Sequence, residues 1–452
     1  MFAKTLSRSK KCSFLIVLGF VIFLANFSTA VASNFTPKLP TINIQQWTTN
    51  NGVRVYFVAA PEIPIVDIAV VFKAGSARDD TKPGVSYLTN TMLDQGAQGL
   101  SANQIAEQFE NVGAAYSHNI NRDMSLFRLR SLTAANFLNP ALQTFIRMLN
   151  TPTFPANNFK GEQQQLLNAV TQKNDSLSSL ANDAFFQGLY GNHPYGRPMT
   201  GTHDSVSTIT REDLQAFYKR YYVAKNAVVV LVGSIDKNQA RLMANQITRG
   251  FTVGQEAPAL TLNTVAPAKV AEQVIHHPSK QSHITLGQIG VTRTDPDYFS
   301  LYMGNHILGG DALIARLGEE VRQKRGLGYV IESYFQPMES AGPFQIEMET
   351  PNHSRAQALQ VTKVTVKKYV NEGPTLQELV DARQNIIGGF PLRISSNEAI
   401  LMNVVNIAFY QLPLNYLDIF KNKMETVTRY QIQSAWQRRI HPDQFFTVIV
   451  GQ

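Results

Sequence analysis

Residues 208–233 read TITREDLQAFYKRYYVAKNAVVVLVG, and residues 426–451 read TVTRYQIQSAWQRRIHPDQFFTVIVG. The two align without a gap at a constant offset of 218. Thr208, Thr210, Arg211, Gln215 and Arg220 recur as Thr426, Thr428, Arg429, Gln433 and Arg438, and Val230, Val232 and Gly233 as Val448, Val450 and Gly451. Apolar character survives where identity does not, as in Leu214 and Ile432 or Tyr218 and Trp436. In each copy a threonine supplies the side-chain oxygen that caps a helix, and a turn then leads into a buried strand ending in Gly. A gapless match of this kind points to an internal duplication. Each copy closes a unit of about 200 residues, within the usual size of a domain.

The duplication divides the chain into a first domain at 33–250, a linker at 251–270 carrying Gly254, Pro258 and Pro267, and a second domain at 271–452. In the first domain Asn51-Gly52 predicts a hairpin turn beside strands at Val53–Val58 and Ile65–Phe72. Ser101 and Gln104 form a capping box for a helix whose apolar face is Ile105, Phe109 and Val112, stopped by Gly113. Met124–Leu132 alternates as a half-buried antiparallel strand, and Asn139-Pro140 is expected to open the next helix. In the second domain Asp295-Pro296 opens a helix ending at Gly309-Gly310. Strands and helices in this mixed order predict an α+β chain: two homologous domains, each an antiparallel-rich sheet covered by helices.

The first 32 residues read as a secretory signal peptide. Lys4, Arg8, Lys10 and Lys11 precede an apolar run from Phe14 to Ala25, and Ala30-Val31-Ala32 is a small-residue cleavage site before Ser33. Cys12, in that segment, is the only cysteine, so cleavage leaves a chain with no disulfide, no thiolate nucleophile and no cysteine metal site. An exported protein without disulfides fits a bacterial periplasm or secretion. Of the 41 Lys and Arg, the signal removes four, which leaves 37 against 33 Asp and Glu. That mild and scattered excess gives no case for nucleic acid.

Residues 84–96 read GVSYLTNTMLDQG. Gly84, Met92, Leu93 and Gly96 fall on the zinc-helix pattern of the insulinase/pitrilysin-type metallopeptidases, the inverzincins, which this stretch resembles. In that family the helix carries two ligand histidines and a general-base glutamate. Here those positions hold Tyr87, Thr91 and Asn90. The family's third ligand, a glutamate on a later helix, falls on Ala169 in the run that begins at Glu162, or on Asn168 one residue earlier. A zinc peptidase needs imidazoles and a carboxylate to hold the metal, and a base to take a proton from the bound water. With all four positions replaced, the resemblance implies a peptidase frame without its metal centre.

No other histidine cluster replaces it. His276, His277 and His283 have no carboxylate at useful spacing in the sequence, His118 stands without evident partners, and His193 lies in a loop read as a structural turn. The positive signal is Gly309-Gly310 followed by residues 316–329, RLGEEVRQKRGLGY. It resembles the family element whose Arg and Tyr bind the substrate carbonyl across the chamber, here Arg322 and Tyr329. A guanidinium and a phenol are suited to a carbonyl that gains charge. Taken alone, Glu319, Glu320, Arg322, Lys324 and Arg325 also read as one solvated helix end.

The resemblance implies a clamshell of two homologous domains and a protein inactive by itself. It further implies a substrate-binding subunit that completes the active site of a zinc-bearing homologous partner. Zinc is then expected on the partner and no cofactor on this chain, with a peptide or unfolded polypeptide as substrate and no stable membrane insertion. A stand-alone peptide-binding or scaffold protein is the alternative, and a zinc peptidase with unfamiliar ligands is a third.

Overall fold

Both duplicated threonines cap their helices. Thr210 Oγ1 accepts from the Asp213 N–H at 3.3 Å, and Thr428 Oγ1 from the Gln431 N–H at 3.2 Å. The Asp213 and Gln431 side chains accept in return from the backbone N–H of the threonines, so each first turn closes as a capping box. The helices Arg211–Tyr221 and Arg429–Arg439 lead into the fully buried strands Ala227–Gly233 and Phe446–Gly451. The computed structural model describes residues 42–262, 272–311 and 314–452. The predicted signal peptide and linker residues 263–270 lie outside the described residues.

The first sheet is built from β1 (Gln45–Thr48), β2 (Arg54–Ala59), β3 (Ile65–Phe72), β4 (Ala115–Ile120), β5 (Ser125–Leu132) and β6 (Ala227–Gly233), in the order β1-β2-β6-β3-β5-β4. The second holds β7 (Glu272–His276), β8 (Gln281–Ile289), β9 (Val330–Phe335), β10 (Pro343–Pro351) and β11 (Phe446–Gly451), in the order β9-β10-β8-β11-β7. Each sheet has one parallel pair, β2 with β6 and β7 with β11, and is otherwise antiparallel. Apart from β1, the two sheets share one topology. The chain is α+β with two homologous domains, as the sequence predicts.

Strand alternation gives each sheet two apolar faces. In the first, Val55, Phe57, Ile68, Val70, Phe127 and Leu231 join a core with Leu88, Met92, Phe145 and Phe159 from the domain's own helices. The opposite parity, including Val58, Val71, Val228 and Val230, is buried as well. Its cover comes from the other half of the chain, because helix Asn397–Phe409 packs on β6 and β3. The exchange is mutual. Helix Leu177–Tyr190 packs on β11 and β8, where Phe185, Phe186 and Leu189 meet Phe446, Val448 and Val450. Fully burying one such side chain contributes about 1.5–3 kcal/mol, so each exchanged helix is a major part of the other domain's stability.

A buried polar knot joins the halves. The Asp123 carboxylate accepts from Tyr195 Oη at 2.5 Å, Tyr410 Oη at 2.9 Å and the Glu339 N–H at 2.8 Å. Tyr195 Oη in turn accepts from the Ser340 N–H at 3.1 Å, and the buried Arg78 pairs with Glu339 at 3.0 Å. The described part of the linker is a packed strap. Ala224 and Lys225 donate to Thr252 and Val253, the Ala257 N–H donates to Asn226 Oδ1, and Leu260 is buried.

One helix boundary differs from the sequence reading. The helix around Pro140 starts at Ala135 and runs to Asn150, with the proline inside it. A proline there removes one backbone hydrogen bond. Asn136, whose carbonyl is freed, is exposed to water, and the turns beyond bury Leu142, Phe145 and Leu149. Among the described residues no helix is long and apolar enough to cross a membrane.

Candidate functional site: a rebuilt zinc helix

The helix Val85–Met92 is held at its start by two devices. Gly84, at φ +102°, turns the chain into the helix where a Cβ would meet the Thr200 carbonyl at 3.1 Å. The buried carboxylate of Asp79 accepts from the Gly84 N–H at 2.7 Å and the Ser86 N–H at 2.9 Å. Burial outweighs these bonds and pushes the Asp79 carboxyl up to about 7.

Each replaced position on this helix has a structural task. Tyr87 is half-buried against the first-domain core. Thr91 Oγ1 donates back to the Tyr87 carbonyl at 3.0 Å. Asn90, where the family has its general base, is 1 % exposed. Its Nδ2 donates to the Asn119 carbonyl at 3.3 Å and to Ser125 Oγ at 3.2 Å, and its Oδ1 lies 2.7 Å from His118 Nδ1. The amide orientation set by these donors assigns the proton of His118 to Nδ1. His118 Nε2 then faces Asp94 Oδ2 at 3.7 Å. Helix Ala156–Gln172 runs beside the site, tied to it by Asn158 Nδ2 donating to Gln95 Oε1 at 3.1 Å. Ala169 and Asn168 lie on its exposed side.

His118 therefore has two partners where the sequence suggests none. Asp94 is the residue that sequence reasoning missed. The available signal was its place in the helix pattern, where the family carries an apolar aromatic residue. Burial raises the Asp94 carboxyl, against the pull of His118, and burial lowers the imidazole, against the pull of Asp94. Glu162 is raised as well, by burial first and by Asp94 second. Asn90 and His118 are hydrogen-bonded and Asp94 stands beside the imidazole at ion-pair distance, with no nucleophile among the three. Among the described residues no group of three or more His, Cys, Asp or Glu could hold a metal ion. The donors at the family positions, a phenol, an amide, a hydroxyl and a methyl, do not fit zinc.

Arg322 and Tyr329 belong to the second domain. Arg322 lies in the helical turn Gly318–Gln323 and is half-buried. Tyr329, immediately before the edge strand β9, is 65 % exposed and is anchored by its N–H donating to the Glu349 carbonyl at 3.1 Å. The neighbouring charges pair among themselves: Lys324 with Glu319 at 2.8 Å and Glu320 at 2.7 Å, and Arg325 with Glu320 at 2.6 Å. The solvated-helix-end reading thus holds for these four. The remaining histidines are dispersed. His193 Nδ1 accepts from the Tyr195 N–H at 3.2 Å, which fits its reading as a turn residue, and His283 is buried on β8.

A family model described as Insulinase (Peptidase family M16) matches residues 54–203, and one described as Peptidase M16 inactive domain matches 208–386. A crystal structure of a peptidase M16 inactive domain from Pseudomonas fluorescens superposes with TM-score 0.87 at 35 % identity, covering 91 % of this chain and 98 % of that one. The chain belongs to peptidase family M16. As an M16 chain it has clamshell-type structural relatives and lacks the zinc chemistry at the family's positions. It is 24 % identical over 361 residues to an uncharacterized zinc protease, YmxG, of Bacillus subtilis, covering 79 % of this chain and 86 % of that protein. It is 25 % identical over 378 residues to a Helicobacter pylori protein named as a non-peptidase homologue, covering 82 % of this chain and 85 % of that one. Its relatives thus include proteins named as peptidases and one named as not.

Proposed function

We propose that this chain is the non-catalytic, substrate-binding subunit of an exported zinc metallopeptidase of the M16 type. It completes, with Arg322 and Tyr329, an active site whose zinc is held by a homologous partner. The observation that carries the reading is the contrast between the two elements. At the zinc helix Asn90 is locked into hydrogen bonds with Asn119, Ser125 and His118. At the other element Tyr329 stays exposed on an anchored backbone, available to a substrate carbonyl. In this reading the chain binds no metal or cofactor itself, and its substrate is a peptide or unfolded polypeptide. The basic and apolar leader ahead of Ser33 supports export to the periplasm or beyond.

The test is isolation of the chain from its native cell, identification of what travels with it, and reconstitution with that partner. A zinc-bearing homologue that is active only when joined to this chain supports the reading. Isolation of the chain alone, with peptide binding and no proteolysis in any combination, replaces it by the scaffold reading.

A further inference from the structure

A cavity lies at the seam of the two domains, beside the Asp123 knot. Lys73, just after β3, lines it from the first domain, and Arg293, Glu339 and Tyr410 line it from the second. Its volume is about 130 Å³, room for several waters or one small organic group. The buried side chains of Met338 and Phe409 give it an apolar wall. Thr292 and Thr294 add two hydroxyls 3.3 Å apart, and Thr294 is exposed, so the cavity reaches the surface.

The charges that line it are matched except at one residue. Glu339, its only carboxylate, pairs with the buried Arg78 at 3.0 Å. Lys73 meets Glu256 at 3.2 Å and Glu339 at 3.8 Å. Among the described residues no Asp or Glu forms an ion pair with Arg293; its neighbours in sequence, Asp295 and Asp297, pair with Arg439 at 3.1 Å and 2.9 Å. The Arg293 guanidinium lies 5.0 Å over the Tyr410 ring, and that ring is fixed by its own hydroxyl donating to Asp123. Arg293 Nε is buried and has no hydrogen-bond partner. A buried donor left unserved is costly, and an acceptor that enters the cavity removes that cost. The guanidinium is thus held in place, half-buried, and short of one counter-charge.

We infer that this cavity binds a carboxylate group, with Arg293 as its counter-charge and the Thr292 hydroxyl as a further donor. One carboxylate carries the single charge that Arg293 lacks, and its planar pair of oxygens fits the guanidinium fork. Arg78 and Lys73 neutralise Glu339, so that carboxylate does not repel the ligand. The alkyl part of the ligand meets Met338 and Phe409, as in pockets where a few polar groups orient an apolar body. The ligand class is a small aliphatic carboxylate, free or carried by a peptide as an acidic side chain or a C-terminus. Because both domains line the cavity, its occupant also ties them together. The inference goes beyond the subunit reading and does not rest on it.

The experiment is titration calorimetry on the mature full chain with three carboxylates: propionate, acetyl-Ala-Ala with a free C-terminus, and acetyl-Asp-amide. The neutral control is acetyl-Ala-Ala-amide. At least one carboxylate binds roughly tenfold more tightly than the control and raises the melting temperature. In R293Q that affinity falls roughly tenfold or more; in R293K, which keeps the charge and loses the planar fork, it falls less. The tightest of the three names the source: a free small carboxylate, a chain end or an acidic side chain. No binding by any of them overturns the inference, as does equal binding of the amide control or equal affinity in wild type and R293Q. Should R293Q fail to fold, an R293K affinity equal to wild type overturns it alone. Inorganic phosphate binding more tightly than every carboxylate makes this a tetrahedral-anion site and overturns the carboxylate assignment.

Discussion

Asn90 Oδ1 lies 2.7 Å from His118 Nδ1, joining the rebuilt zinc helix to the edge strand β4 of the first sheet. The contact fixes what the helix now does. At the position of a general base stands an amide that donates twice and accepts once, all within the protein.

Asn90→Ala removes that node and leaves buried groups of Ser125, Asn119 and His118 without it. An unsatisfied buried group costs about 1–3 kcal/mol, so the variant should lose at least that much stability in urea denaturation. A midpoint equal to wild type would mean water replaces the amide without loss.

Restoring the metal centre should need four substitutions. Tyr87→His, Asn90→Glu and Thr91→His supply two imidazoles and a base, yet the neighbouring helix still presents Ala169. The triple variant should bind zinc weakly, and addition of Ala169→Glu should bring one tightly held zinc per chain. Tight zinc in the triple variant, measured by metal analysis after dialysis, would place the third ligand elsewhere.

Asp79 should give the fold a pH dependence. Its folded pKa, about 7, lies above the ordinary carboxylate value, so the folded chain keeps a proton that the unfolded chain releases from about pH 4 upward. The contribution of the protonated carboxyl is therefore full below about pH 4 and is lost as pH rises to about 7, with a slope of at most about 1.4 kcal/mol per unit. Asp79→Asn should remove this slope. Denaturation midpoints of the two proteins from pH 5 to 8 check it, and parallel curves would contradict it.

Asp123 should be the costliest single polar residue between the domains. Asp123→Ala orphans Tyr195 Oη, Tyr410 Oη and the Glu339 N–H, and a loss of at least about 3 kcal/mol is expected. Tyr410→Phe, which removes one donor, should cost about 1 kcal/mol. Similar losses in the two variants would show that the carboxylate is not shared as the distances indicate.

Tyr329→Phe should leave the isolated chain's stability within about 0.5 kcal/mol, as expected for an exposed hydroxyl. In the reconstituted pair it should lower kcat about 10²–10³-fold while assembly is unchanged, because the lost donor acts on charge that develops in the transition state. Full turnover would make the element structural.

The sequence carried the repeat, both threonine caps and the replaced positions of the zinc helix, because each depends on residues close along the chain or on a fixed offset. Pro140 misled because helix starts are read from local rules, whereas packing of Leu142 and Phe145 decided this one. Asp94 and His118 were unreadable as a pair, since only the turn of the chain from the helix to β4 brings them together. The exchange of Leu177–Tyr190 for Asn397–Phe409 was equally hidden. An apolar helix face states that it needs a sheet and not which one.

That exchange sets an order of events during synthesis. Residues 42–250 leave the ribosome with one face of their sheet still bare, and its cover, residues 397–409, is made only after the linker and much of the second domain. The first domain is thus finished by a helix of the second, and until then Val71, Val228 and Val230 are a sticky surface that a chaperone would recognise.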